Sequence, residues 1–272
     1  VRNNDGSFAE VTGIDNPFDG MDFGYYAAPA FADYDGDGDM DLFVGNHEGS
    51  IYYVENDNGN FDVLTGPSNP FNGMDFGYFV APALVDPDED GDLDLAFGEE
   101  YAKVLRYYRN DDGEYAEKRG TPNPFEGVID IYSAAPAFVD LDEDGDLDLA
   151  VGGGYGNVQY YENTEEGYVP LLDTENPFNA VSVGDFAVPA FGDVDGDGDP
   201  DLIVGDEYGT IRYFINEVGD FIELTGASNP FDGIDVGDFS APTLVDLDGD
   251  GDLDLFVGSK YGADDFGKIF YF

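Results

Sequence analysis

A sequence unit of about 53 residues recurs along the chain, and this period limits the possible folds more than any other feature. Each unit contains an Asn-Pro-Phe tripeptide, a glycine-containing loop, an Ala-Pro or Val-Pro dipeptide, an acidic stretch and an Asp-Leu-apolar-apolar-Gly sequence, in this order. The proline of the dipeptide marks five copies, at Pro29, Pro82, Pro136, Pro189 and Pro242. A repeat of this length indicates a solenoid or a propeller.

The composition of each unit favours four short β-strands separated by turns rich in Gly, Pro, Asn and Asp, with no helical periodicity. One such unit fits one propeller blade. We therefore predict an all-β fold, a single five-bladed propeller domain over residues 1–272. Its repeat units are approximately 16–68, 69–122, 123–175, 176–228, and 229–272 together with 1–15.

The two ends of the chain predict how the ring closes. Residues 268–272 match the third strand of a unit and end there, whereas residues 7–13 match a fourth strand. We expect the N-terminal strand to complete the last blade, which removes an unpaired sheet edge.

The charge balance excludes several classes of protein. The chain has 61 acidic and nine basic residues, one histidine and no cysteine, for a net charge of −52. Nucleic-acid binding needs basic side chains, and zinc-thiolate, iron–sulfur and thiol chemistry needs cysteine. No apolar run is long enough to span a bilayer, and residues 1–6 do not resemble a signal peptide. We expect a soluble monomer that binds no nucleic acid and does not insert into membranes.

Five loops of the pattern D-x-D-x-D-G-D-x-D contain the most specific chemistry. Alternate oxygen ligands and a glycine at position 6 suit a hard divalent cation, and a flexible shell of carboxylates favours Ca²⁺ over Mg²⁺. We predict about five Ca²⁺ per chain. The candidate ligands are Asp33, Asp35, Asp37, Asp39 and Asp41; Asp86, Asp88, Asp90, Asp92 and Asp94; Asp140, Asp142, Asp144, Asp146 and Asp148; Asp193, Asp195, Asp197, Asp199 and Asp201; and Asp246, Asp248, Asp250, Asp252 and Asp254.

Three other interpretations of these loops fit the sequence less well. An EF-hand needs a Glu at position 12, where this chain has Val or Phe. Metal-free acidic turns would repel themselves, by about 1 kcal/mol per pair of charges about 4 Å apart in water. Catalytic carboxylates are disfavoured because an active site is normally unique and this feature occurs five times.

These residues resemble the FG-GAP/VCBS repeat family of calcium-binding β-propellers, found in integrin heads and in many secreted proteins. The Phe-Gly pair of the family is present as Phe23-Gly24 and Phe76-Gly77, is replaced by Val-Gly at 183–184 and 236–237, and is absent from the third unit. The resemblance implies that loop positions 1, 3, 5 and 9 supply side-chain ligands, and it implies an extracellular or cell-surface location.

The face opposite the acidic loops is predicted to expose aromatic and carboxylate groups that could bind sugar rings. The candidates are Asp22, Tyr25, Asp75, Tyr78, Asp130, Tyr132, Asp185, Phe186, Asp235 and Phe239. The alternative is that these loops are only Asn-Pro turns that pack their Phe beneath the blade.

The sequence is compatible with two functions. We expect a noncatalytic extracellular adhesion or recognition module, with a glycan or a surface protein as partner, and no enzymatic activity. The alternative is a polysaccharide-active enzyme with carboxylates near the central channel. Among the unshared features, His47 is expected to be simply exposed, and the basic cluster Lys103, Arg106, Arg109, Lys118 and Arg119 to balance charge or dock a partner. The high acidity favours a saline, calcium-rich medium and Ca²⁺ sites of about 10⁻⁴–10⁻³ M.

Overall fold

A computed structural model describes residues 8–98, 104–129, 131–260 and 267–272. Their strands form five antiparallel sheets, four of them with four strands each. Short 3-10 turns at Gly13–Asp15, Gly66–Ser68, Asp173–Glu175 and Gly226–Ser228 lie in the connections between sheets. The strands are β1 (Ala28–Ala32), β2 (Asp41–Gly45), β3 (Ile51–Asp57), β4 (Asn60–Leu64), β5 (Ala81–Val85), β6 (Asp94–Gly98), β7 (Arg106–Asp111), β8 (Glu114–Lys118), β9 (Ala135–Val139), β10 (Asp148–Gly152), β11 (Val158–Thr164), β12 (Gly167–Leu171), β13 (Val188–Gly192), β14 (Asp201–Gly205), β15 (Ile211–Glu217), β16 (Asp220–Leu224), β17 (Ser240–Val245), β18 (Asp254–Ser259) and β19 (Ile269–Tyr271).

The sheets are the blades of a propeller, numbered 1 to 5 in chain order. Strands follow one another from the inside outwards, as in the order β1-β2-β3-β4 of blade 1. The first strands β1, β5, β9, β13 and β17 each contact the next around the ring, and β17 contacts β1. The prediction of an all-β, five-bladed propeller is confirmed.

The N-terminal segment closes the ring. Blade 5 has three strands, and Val11 pairs with Tyr271 at its outer edge, where the Val11 amide donates to the Tyr271 carbonyl at 2.7 Å. The Phe8 ring stacks on Phe231 with centroids 4.8 Å apart. The fourth strand position of blade 5 is therefore taken by the start of the chain, as predicted.

Residue size follows the position of each strand in the blade. The first strands carry small residues because they meet at the narrow axis, and the second strands are buried along their whole length. Each second strand has a glycine at its last or second-to-last residue, and this glycine touches the next blade. A Cβ on Gly205, for example, would overlap the Ser240 carbonyl oxygen. The Phe of each Asn-Pro-Phe tripeptide is buried between blades, at Phe18, Phe71, Phe125, Phe178 and Phe231.

The first strands surround a central channel of about 210 Å³. Its lining consists of Ala, Val, Pro, Phe, Leu and Thr residues, so no ionisable side chain lines it among the described residues. The rings that precede the first strands of blades 1, 2, 4 and 5 pack over the end of the channel on the Asn-Pro-Phe face, with ring centroids 5.0–5.6 Å apart. These rings belong to Tyr26, Phe79, Phe186 and Phe239, each one or two residues before its strand.

Blade 3 has Ser133 at the position of these four rings. All five residues have φ between 49° and 63°, a left-handed conformation that bulky residues rarely adopt. The five-fold repetition of this strained conformation holds the four rings over the axis. Phe79 of blade 2 and Phe186 of blade 4 contact each other across the space that a fifth ring would need.

Candidate metal sites and the opposite face

The five acidic loops each connect the first strand of a blade to the second, so all five lie at the same end of the ring. In every loop the carboxylates at positions 1, 3 and 5 come together, with one oxygen of each within 4.8 Å of the others. The triplets are Asp33, Asp35 and Asp37; Asp86, Asp88 and Asp90; Asp140, Asp142 and Asp144; Asp193, Asp195 and Asp197; and Asp246, Asp248 and Asp250.

Backbone hydrogen bonds to these carboxylates fold the loop tightly, as blade 4 illustrates. The first-position Asp193 accepts from the amides of Gly196 at 2.8 Å and Gly198 at 3.0 Å. Gly198 occupies position 6 with φ at 103°, which favours glycine, and this explains why every loop has a glycine there.

The seventh position lies outside these triplets. Asp39 accepts a hydrogen bond from the Asn58 amide at 2.7 Å, and Asp92 accepts one from the Asp112 amide at 3.0 Å. Both donors belong to the turn between the third and fourth strands of the same blade. In blades 1 and 2 the seventh-position carboxylate therefore ties the loop to this outer turn.

The ninth position is also outside the triplets, and its carboxylate is buried in every blade. Asp201 accepts from the Asn216 amide and the Tyr213 hydroxyl, both at 2.8 Å, and from the Val194 amide at 3.1 Å. Burial raises the pKa of Asp201, although these hydrogen bonds lower it. The same balance raises the pKa of Asp94 in blade 2 to about 6. The ninth-position carboxylate therefore joins the acidic loop to the second and third strands of its blade.

The triplets fit a divalent cation by their chemistry. Three carboxylates within 4.8 Å repel one another unless a cation lies between them, and carboxylate oxygens are ligands that Ca²⁺ prefers. In blade 3, the Oδ1 atom of the first-position Asp140 is buried and has no hydrogen-bond partner, as expected of an oxygen placed to bind a cation. Each of the five triplets could hold a metal ion.

On the opposite face, three predicted ligand carboxylates stabilise turns. Asp22, Asp75 and Asp235 accept hydrogen bonds from the glycine amide two residues later, at 2.9, 3.1 and 2.9 Å. All three acids are exposed. Asp130 lies outside the described residues.

The remaining predicted ligand residues occupy two different environments. Tyr25 and Tyr78 are 39% and 51% exposed, Tyr132 is half-buried and Asp185 is exposed. Phe186 is half-buried and Phe239 fully buried among the rings that cover the channel. The expectation that Phe239 is exposed was therefore wrong, because its backbone conformation turns the ring towards the axis.

The structure also assembles a cluster that the sequence did not predict. His47 is half-buried rather than simply exposed: its ring stacks on Tyr26 at 5.6 Å and lies 5.5 Å from the Tyr78 ring. The Lys260 ammonium lies 5.0 Å from the centre of the Tyr26 ring. The sequence could have indicated this cluster, because His47 and Lys260 occupy equivalent positions in the loops between the second and third strands of blades 1 and 5.

The described members of the basic cluster pair with acids. Arg106 and Arg119 bind Glu117 at 3.0 and 2.8 Å, and Lys118 lies 3.8 Å from Asp111. Lys103 lies outside the described residues. These pairs are consistent with charge balance in blade 2.

The fold and the loops define a class of protein: a five-bladed β-propeller with an acidic loop in the first hairpin of each blade. The chain matches the FG-GAP-like repeat in four overlapping stretches, at residues 33–97, 86–151, 140–204 and 193–257. The chain therefore belongs to the FG-GAP-like repeat family, and the resemblance noted in its sequence is confirmed. No helix of the described part of the chain is both long and apolar enough to cross a bilayer.

Solved structures are similar to this chain at low sequence identity, whereas no curated protein matches it. A thermostable family-43 glycoside hydrolase is 10% identical, with a TM-score of 0.59 over 94% of this chain and 90% of that one. A lectin from Agrocybe aegerita that recognises non-reducing terminal N-acetylglucosamine is 18% identical, with a TM-score of 0.47 over 90% of this chain and 66% of that one. The extracellular domain of a putative hybrid two-component system from B. thetaiotaomicron is 12% identical, with a TM-score of 0.40 over 97% and 32%.

The glycoside hydrolase corrects one prediction. We expected no enzymatic activity, but a protein of this class of fold is a hydrolase. The physical reason is that a propeller fixes a scaffold, whereas chemistry depends on side chains that each family places on it. At 10% identity the similarity shows the fold alone and leaves enzymatic activity open.

Proposed function

We propose that this chain is an extracellular, Ca²⁺-loaded propeller that recognises carbohydrate on its Asn-Pro-Phe face. The proposal assigns a different role to each end of the ring. The acidic loops hold the ions that stabilise the inner hairpins, and the opposite face presents the aromatic side chains that contact the ligand.

Calcium is proposed because all the clustered donors are carboxylate oxygens and because most of these carboxylates are exposed, which leaves room for the water molecules of a large coordination shell. An extracellular medium supplies millimolar Ca²⁺. It also supplies the ionic strength that screens a surface with a net charge of −52. Both conditions are met outside the cell, and this supports the proposed location.

One observation carries the proposed ligand site: the rings of Tyr26, His47 and Tyr78 are in continuous contact across blades 1 and 2. Tyr78 exposes half of its surface and Tyr25 more than a third, so this sector offers an aromatic platform to solvent. Sugar rings stack their apolar faces on such platforms and use neighbouring polar groups for orientation. The exposed oxygens of Asp22 and Asp75 supply acceptors for sugar hydroxyls.

A glycan array in millimolar Ca²⁺, followed by a titration of the best oligosaccharide, tests this proposal. His47 is the only histidine, so the resonance of its imidazole Cε1–H is unambiguous and reports binding at the platform. We expect Tyr78→Ala to weaken binding about tenfold. The matched control is Tyr208→Ala, because Tyr208 is 64% exposed in blade 4, outside this sector.

Three other outcomes would each contradict part of the proposal. A flat array would remove carbohydrate as the ligand and leave a surface protein as the partner. An unmoved His47 resonance during binding would place the site elsewhere on the ring. Release of new reducing ends from a bound polysaccharide would reveal an enzyme, an activity that the fold leaves open.

A further inference from the structure

The acidic loop of blade 2 differs from those of blades 1, 3 and 4 in the third-strand residue that lies beside it. In blades 1 to 4, one third-strand residue directly precedes the asparagine whose amide binds the ninth-position Asp. This residue is Glu55 in blade 1, Arg109 in blade 2, Glu162 in blade 3 and Ile215 in blade 4. Blade 2 alone of these four places a cation there.

Arg109 reaches two of the three carboxylates that form the blade 2 triplet. Its Nη1 lies 2.8 Å from Asp88 Oδ2, and its Nη2 lies 2.8 Å from Asp90 Oδ2. Its Nε lies 3.0 Å from Asp111 Oδ1, within ion-pair distance. The ion pairs of Arg106, Lys118, Arg119 and Arg212, by contrast, are with acids outside the triplets.

A guanidinium in this position competes with a metal ion in two ways. It donates hydrogen bonds to carboxylate oxygens that a Ca²⁺ ion would need as ligands. If it stays while Ca²⁺ binds, its positive charge lies within a few ångströms of a divalent ion, and the two repel. If it leaves, its ion pairs with Asp88 and Asp90 are lost.

We infer that Arg109 acts as a counter-ion for the carboxylates of the blade 2 triplet and so makes blade 2 the weakest Ca²⁺ site of blades 1 to 4. This inference rests on the proposed binding of Ca²⁺ by the triplets. Arg109 and the two acids remain about one-third exposed, so the guanidinium can be displaced and the site fills at higher Ca²⁺. In blade 2 the guanidinium thus neutralises part of the triplet charge before metal binds, whereas blades 1, 3 and 4 have no basic residue at this position.

The position-6 glycine amides allow each site to be followed separately. The amides of Gly91, Gly145 and Gly198 each donate to the first-position carboxylate of their loop, at 2.9, 3.1 and 3.0 Å. Ca²⁺ binding to that carboxylate changes the amide chemical shift. Titrating the ¹⁵N-glycine-labelled chain with Ca²⁺ therefore reports blades 2, 3 and 4 in one experiment.

In the wild-type chain, we expect the midpoint for Gly91 to lie at least tenfold higher in Ca²⁺ than those for Gly145 and Gly198. Arg109→Gln should bring the Gly91 midpoint down to theirs. Arg212→Gln is the matched control, because Arg212 pairs with Glu223 on the outer strands of blade 4 and touches no triplet. It should leave all three midpoints unchanged.

The results separate the inference from the proposed function. If Gly91 titrates together with Gly145 and Gly198 in the wild type, or still titrates late in Arg109→Gln, the inference is overturned while Ca²⁺ binding stands. If none of the three amides responds to Ca²⁺, both fail. Should Arg109→Gln fold poorly, Arg109→Glu supplies the residue that blades 1 and 3 carry at this position and must give the same early midpoint.

Discussion

Replacing Asp201 with alanine tests the role that the structure gives to the ninth loop position. The sequence and the family resemblance made this residue a metal ligand, but its carboxylate lies outside the triplet and accepts three hydrogen bonds. Two of the donors are backbone amides, of Val194 and Asn216, and the third is the Tyr213 hydroxyl. In the Asp201→Ala variant, all three donors lose their partner in a buried site.

The expected loss of stability follows from these donors. A buried donor without a partner costs about 1–3 kcal/mol, so the two fixed amides alone account for about 2–6 kcal/mol. Some of this is returned, because burial raises the pKa of Asp201 and the variant no longer pays the cost of burying its carboxyl group. We expect the free energy of unfolding to fall by about 3 kcal/mol.

Urea denaturation with and without a chelator measures this change. We expect Asp201→Ala to lose the same amount in EDTA as in Ca²⁺, since the hydrogen bonds do not depend on the ion. The control is Asp197→Ala, which removes an exposed triplet carboxylate and should destabilise the chain in Ca²⁺ but by less than about 0.5 kcal/mol in EDTA. If Asp201→Ala behaved like this control, the ninth position would be a metal ligand, and the assigned structural role would be refuted.

Three further predictions concern packing and pH. Ser133→Ala should raise the free energy of unfolding by about 1 kcal/mol, because the buried hydroxyl has no partner; a loss of stability in denaturation would contradict this. Gly205→Ala should lower it by about 1–3 kcal/mol, because a Cβ there overlaps the Ser240 carbonyl oxygen, whereas Gly127→Ala meets open space and should change little in the same assay. Burial raises the pKa of Tyr161 to about 12, so its contribution to stability is complete below the unfolded pKa of about 10 and is lost as the pH rises from 10 to 12. Tyr161→Phe should reduce this alkaline loss, and denaturation below and above pH 10 measures it.

The repeat made the fold predictable because each blade obeys the same local rules. Small residues before and after each repeated proline indicated the inner strands, and the matching ends of the chain predicted the closure at Val11 and Tyr271. The triplet positions were also readable, since a tight loop brings alternate residues together. The acidic pattern alone did not show that the carboxylates at positions 1, 3 and 5 cluster while those at the seventh and ninth positions lie elsewhere.

The distinction depends on partners from elsewhere in the blade. The ninth-position Asp meets amides and a hydroxyl of the third strand, and the seventh-position Asp of blades 1 and 2 meets the following turn. Neither contact can be read from spacing within the loop. For the same reason, the burial of Phe239 could not be predicted from its sequence position: the direction of its ring depends on a left-handed backbone conformation and on contacts with Tyr26 of blade 1 and Phe79 of blade 2.

In a five-fold repeat, features needed for folding must occur in every blade, so residues unique to one blade are the natural candidates for function. Ser133 shows the limit of this argument. It is unique among five equivalent residues, yet packing explains it, because Phe79 and Phe186 already meet across the position where a fifth ring would lie. No comparable packing need explains Arg109, since Glu and Ile occupy the same place in other blades. Its direct contacts with Asp88 and Asp90 connect this difference to the metal site itself.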